Sequence, residues 1–173
     1  AGGVRLKLYT SIARPAQEEY VVNKSRFIGR CWPVAEETEV LALLAQVRKE
    51  HYDASHNAYA YALGCRGETA RYSDDGEPGG TAGLPMMQVL RQKQLTHVLA
   101  TVTRYFGGVL LGAGGLVRAY GKAAALAIDA AGRAAYYRGK QVRLMLEYGQ
   151  YALLEPLVRE SAHGLSTEFL DRV

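Results

Sequence analysis

Cysteine is scarce in this chain: Cys31 and Cys65 stand far apart, and no CxxC pair occurs. Two such thiols exclude a disulfide framework and predict reduced, buried residues in a cytoplasmic protein. Together with four scattered histidines they offer no ligand pairs at zinc-site spacing, so neither a metal nor another cofactor is expected. Long apolar runs are also missing. None approaches the roughly 18 to 20 residues that cross a bilayer, so no membrane association is expected. The opening residues, Ala1-Gly2-Gly3-Val4-Arg5, lack the basic-then-apolar pattern of a secretory signal. The most informative absence is of acid. From Pro78 to Ile128 there is no Asp or Glu in 51 residues, where the overall frequency of 17 in 173 would place about five. Arg91, Lys93, Arg104, Arg118 and Lys122 all fall within that stretch. It reads either as a buried segment that avoids charge or as a surface kept free of anions because it meets a polyanion.

What is present fits an ordinary globular protein of 173 residues, 49% hydrophobic and 22% charged, with a net charge of +4. That length suits one typical domain with a small second one. The charge excess belongs to residues 1–133, since 134–173 hold five basic and five acidic residues. Alternating or apolar runs predict strands at Tyr9–Ala13, Tyr20–Val22, Phe27–Trp32, Ser55–Leu63 and His97–Arg104, with turns at Arg14–Ala16 and Asn23–Arg26. Val40, Leu43, Leu44 and Val47 recur at helical spacing between Glu36 and His51, with acids first and Arg48-Lys49 last, as a helix dipole favours. Arg71 to Gly83 reads as a long polar loop, with a helix from Pro85 to about Gln94. Gly107 to Gly115 reads as a second glycine-rich loop, ahead of a helix over Leu116–Ala131. Gly132–Gly139 reads as a domain boundary. Beyond it, strand-like Gln141–Tyr148, helical Tyr151–Ala162 and strand-like Leu165–Leu170 form a β-α-β fragment.

Familiar nucleotide motifs fail on spacing. Gly115 to Gly121 has five intervening residues rather than four, and Lys122 is followed by Ala123, so there is no P-loop. The dinucleotide fingerprint would start at Gly112 but meets Val117 at its last position. What remains is a glycine-rich turn opening a helix, with Gly114 and Gly115 at its start and Arg118 and Lys122 one helical turn apart. Such a pattern either holds an anion or merely permits tight packing beside two solvated cations. Asp74, Asp75 and Glu77 lack the alternating oxygens of a calcium loop. They read either as paired carboxylates for acid–base work, whose separation adjacent loop residues do not fix, or, in preference, as local acceptors that shape a conformational loop around Gly79-Gly80. Ser55 and His56 are neighbours on a strand and point to opposite faces, which excludes a direct dyad.

Several blocks together carry a resemblance. Lys24-Ser25-Arg26-Phe27-Ile28, Ala54 to Tyr61, Arg71-Tyr72-Ser73-Asp74-Asp75-Gly76-Glu77-Pro78, Thr81-Ala82-Gly83, Thr103 to Gly108 and Leu111 to Gly121 resemble, in order, the IMPACT/YigZ family, over about residues 20–125. The region from 135 onward resembles the small C-terminal domain of its bacterial YigZ branch. The resemblance implies an α+β chain. Residues 1–133 would form a two-layer α/β domain with a left-handed βαβ unit, akin to domain IV of elongation factor G and a ribosomal-protein domain. Residues 134–173 would form part of a ferredoxin-like domain. For function it implies a suspected RNA- or ribosome-linked role in translation, with no established catalysis.

The residues expected to meet nucleic acid or another anion are Lys24, Arg26, His56, Arg71, Arg104, Gly114, Gly115, Arg118 and Lys122. Tyr59, Tyr61, Tyr72 and Tyr105 are expected either to offer stacking faces or to pack in the core. Asp74 or Asp75 is the expected partner of Arg104, joining the two glycine-rich loops in one composite site. The rival readings are a phosphate- or nucleotide-binding small-molecule enzyme, and a protein-interaction module with an unknown protein partner.

Overall fold

A computed structural model describes residues 6–162 and 164–169. The chain divides into two compact units, Ala1–Arg138 and Gly139–Val173. The first unit is built on a five-stranded antiparallel sheet in the order β2-β3-β6-β4-β5. Its strands are β2 (Ala16–Val22), β3 (Ser25–Pro33), β4 (His56–Leu63), β5 (Thr69–Ser73) and β6 (Val98–Tyr105). A separate pair joins β1 (Lys7–Ile12) to β7 (Arg133–Tyr137). Those residues of β7 lie within the stretch that the glycines mark as a boundary.

Side-chain size decides which layer lies where. Along β4, Ala58 and Ala60 point to one face, and Tyr59 and Tyr61 to the other. The alanine face carries α2 (Gly83–Gln92) and α3 (Gly112–Ala131), whose own Ala119, Ala123 and Ala127 recur every four residues and are buried. Gly29 of β3 completes this flat surface. A Cβ there would stand 2.3 Å from the Ala123 carbonyl oxygen, so helix backbone and strand touch directly. The opposite face meets α1 (Glu37–Glu50) through Val40 and Leu44, packed with Tyr61, Leu63 and Leu99.

One strand and one helical turn depart from the sequence reading. Arg71, Tyr72 and Ser73, read as the start of the polar loop, belong to edge strand β5 (Thr69–Ser73) against β4. An edge strand needs no apolar face of its own to complete a ladder. Gly112–Gly115, also read as loop, is the first turn of α3. Of the cysteines, Cys31 is buried and its thiol is pushed up to about 11 by that burial, whereas Cys65 is exposed, contrary to expectation.

In the second unit, α4 (Tyr148–Ser161) starts with a capping box between Glu147 and Gln150 and continues through Pro156. Gln141–Glu147 and the described residues of Leu165–Leu170 form no strand, and Leu170 lies outside the described residues. A strand requires a ladder partner, and none pairs with them among the described residues.

Candidate functional site

The glycine-rich loop between β5 and α2 is organised by one carboxylate. Asp74 accepts from the backbone N–H groups of Gly80 (2.8 Å), Ala82 (3.0 Å) and Gly83 (2.8 Å). These are donors that the start of α2 leaves unpaired, so Asp74 caps that helix from a distance. Burial pushes its carboxyl upward, but the three N–H donors outweigh burial and hold it below the ordinary range. Asp75 is committed as well: its Oδ2 takes the Asn57 N–H at 2.6 Å.

With both aspartates engaged, the partner of Arg104 is Glu77, which corrects the expected Asp74 or Asp75. Arg104 donates to Glu77 Oε1 at 2.7 Å, and the two side chains are 7% and 3% exposed. The same oxygen accepts the Tyr120 hydroxyl at 2.7 Å. His56 donates through Nδ1 to the Asp75 carbonyl at 2.8 Å, which leaves Nε2 facing Glu77 Oε2 at 3.7 Å. The Arg104 guanidinium also lies over the rings of Phe27 and Phe106, 5.5 and 5.4 Å from their centroids. Burial, then the bond to Glu77, pushes the Tyr120 phenol strongly upward, so it stays a neutral donor. One buried carboxylate therefore ties β4, β6, α3 and the 74–83 loop together. These charges neutralise each other inside the fold.

The outward cations are arranged differently. Arg118 and Lys122 lie on the outer face of α3 and, among the described residues, pair with no carboxylate. They line an open groove of about 610 Å³ whose other walls are Pro85, Gln88, Val89 and Gln92 of α2, Val117 and Gly121 of α3, and Tyr20 of β2. Gly114 and Gly115 occupy the first turn of α3, whose N-cap residue, Leu111, makes no side-chain cap.

Lys24 is exposed on the two-residue β2–β3 turn, where Asn23 and Lys24 both have positive φ, 47° and 63°. Gly107 packs against that turn so closely that a Cβ would reach 2.0 Å from the Lys24 carbonyl carbon. Arg26 is half exposed but holds Glu19 at 2.8 Å, and Arg71 lies 3.5 Å from Glu37. The expected residues thus separate into three sets. His56, Glu77 and Arg104 meet in the interior, Arg118 and Lys122 share the groove, and Lys24, Arg26 and Arg71 lie elsewhere on the sheet. Of the four tyrosines, Tyr61 is buried and bonded to Glu37, while Tyr72 is exposed.

Sequence reasoning missed Tyr20, Gln88 and Gln92 of the groove and Tyr120 of the buried cluster. The glutamines carried a faint signal, since they stand one helical turn apart. No group of His, Cys, Asp or Glu among the described residues is arranged to hold a metal, and no described helix is long and apolar enough to cross a membrane.

The family model described as the Impact N-terminal domain matches residues 23–128. The IMPACT family member YvyE of Bacillus subtilis is 39% identical over 155 residues, which cover 90% of this chain and 70% of that protein. YigZ of Escherichia coli, another IMPACT family member, is 41% identical over 111 residues, covering 63% of this chain and 54% of its relative. A solved structure described as that of an hypothetical protein superposes with a TM-score of 0.72 at 34% identity, covering 88% of this chain and 75% of the other. The family match over residues 23–128 thus takes in β3, β4, β5 and β6 of the sheet, the buried Glu77–Arg104 pair and the cationic face of α3, and the chain belongs to the IMPACT family.

Proposed function

We propose that this chain is a cytoplasmic, non-catalytic protein that binds RNA or the ribosome and so acts in translation. One observation carries the reading: Arg118 and Lys122, without an ion-pair partner among the described residues, stand beside an open groove, within a stretch of 51 residues that contains no acid. A solvent-facing cation without a carboxylate neighbour keeps its attraction for an external anion, and phosphate contacts of that kind supply most sequence-independent affinity. The first turn of α3, whose N-cap residue makes no side-chain cap, offers N–H groups to the same kind of ligand. The link to translation rests on the family resemblance.

Salt dependence tests the reading. Three phosphate contacts, from Lys24, Arg118 and Lys122, give a log–log slope of affinity against salt of about −2 on single strands, at about −0.7 per contact. Arg118→Ala is expected to weaken all RNA sequences alike. The absence of salt-sensitive binding to single-stranded RNA, transfer RNA or ribosomes at micromolar protein would refute the proposal.

A further inference from the structure

The groove holds more than charge. Its α2 wall presents Gln88 and Gln92, and each primary amide offers both a donor and an acceptor. Its α3 wall presents Arg118 and Lys122, and its apolar lining comes from Pro85, Val89 and Val117. The two helices stand side by side here, and a Cβ on Gly121 would meet that of Pro85 at 3.9 Å, an ordinary van der Waals distance. Tyr20 closes the sheet side. It is only half buried, and its ring lies 6.5 Å from that of Phe27, which in turn meets Tyr120 edge-on at 5.2 Å. The aromatic wall is thereby supported from within the core.

We propose that this groove seats one unstacked nucleotide of single-stranded RNA, with its base between Tyr20 and the Gln88/Gln92 amides and its phosphate on Arg118 and Lys122. The inference rests on the RNA-binding reading above and names the part of the ligand that the groove takes. A polyanion recognised by charge alone would need only the two cations. Amides paired with an aromatic wall and an apolar floor match the edge and face of a base. A duplex keeps its base faces stacked, which restricts this seat to single strands or loops.

The test compares two anionic probes, a single-stranded 10-mer RNA and long-chain inorganic polyphosphate, by competition against a fluorescent RNA. Tyr20→Ala is expected to weaken the RNA by about 5- to 150-fold, the range of base–aromatic stacking, and to leave polyphosphate unchanged. Tyr20→Phe keeps the ring and is expected to keep RNA affinity. The double variant Gln88→Ala/Gln92→Ala changes only the groove side of α2, and it too is expected to weaken RNA alone. Equal losses for both probes, or full RNA affinity in both the Tyr20→Ala and the glutamine variants, would overturn the nucleotide seat. If Arg118→Ala/Lys122→Ala still weakens both probes in that case, the RNA-binding reading survives without it. Should that charge variant also leave both probes unaffected, the broader reading falls as well.

Discussion

Arg104 and Arg118 come from the same acid-free stretch, yet the fold uses them in opposite ways. Arg104 is the penultimate residue of the buried strand β6, lies near two phenylalanine rings and meets Glu77 at 2.7 Å. Arg118 lies on the outer face of α3 and, among the described residues, meets no carboxylate. The nearest acid before the stretch, Glu77, is turned inward, and the first after it, Asp129, pairs with Lys93 at 2.6 Å. The lack of acid therefore has two physical contents. Over β6 and the inner faces of the helices it reflects burial, which excludes unpaired charge. Over the outer face of α3 it leaves cations with no ion-pair partner among the described residues. A charge count along a sequence cannot separate these, because burial is decided by which face of an element meets the core.

The largest expected effect breaks the buried half of that comparison. Glu77→Ala leaves the Arg104 guanidinium without its counter-ion and the Tyr120 hydroxyl without an acceptor. Removing one partner of a buried pair costs about 3–5 kcal/mol, which urea denaturation would resolve. The double variant Glu77→Leu/Arg104→Met removes both charges together and is expected to be more stable than Glu77→Ala. A cost below about 1 kcal/mol for Glu77→Ala, in the range of exposed pairs, would show that the cluster does not anchor the loop.

Next in size is Asp74, which shapes the loop above that pair. Asp74→Asn keeps an oxygen acceptor but loses the charge that strengthens three N–H bonds, at a cost of about 1–3 kcal/mol near neutral pH. The folded carboxyl titrates below its ordinary range, so its contribution is complete above the unfolded pKa of about 3.9. It is lost as pH falls from there through the lowered folded value. The stability gap between wild type and Asp74→Asn is therefore expected to be constant from pH 7 to about pH 5 and to shrink below about pH 4. A gap that is the same at pH 3 and pH 7 would mean that the ionised carboxylate is not what orders the loop.

The fold was legible wherever periodicity reported burial directly. Val40, Leu44 and Val47 mark α1, and the alternation of alanine and tyrosine marks β4, because each residue's face is set by its own backbone period. What was not legible depends on partners distant in sequence. Strand β7 exists because β1, more than 120 residues earlier, offers it a ladder. The glycines that open α3 read as a loop, since helix propensity counts against them, while the tertiary structure holds them helical. The loop acids were recognised as shaping residues, but their division of labour was not. Asp74 and Asp75 reach backbone N–H groups, and the longer Glu77 is the one that turns inward to Arg104. In the candidate site, Arg118 and Lys122 were visible from their spacing. Tyr20, which joins them from another element, had no local signal at all.

The smallest expected effect tests the solvent-facing half of the comparison, and it is informative because stability should not respond. Arg118→Ala removes an exposed cation that has no ion-pair partner among the described residues, so unfolding free energy should move by no more than about 0.5 kcal/mol. Lys49→Ala, on the exposed side of α1 against the opposite sheet face, removes the same unit of charge and should be equally silent in stability. The two variants should part only in RNA binding. If phosphates contact the α3 face, Arg118→Ala flattens the salt slope by about 0.7 and Lys49→Ala leaves it unchanged. Were attraction due to net charge alone, both variants would weaken binding equally, because each lowers the total by one unit. Matched slopes in the two variants would thus assign the affinity to the charge of the whole molecule, whereas a difference confined to Arg118 would locate it on α3.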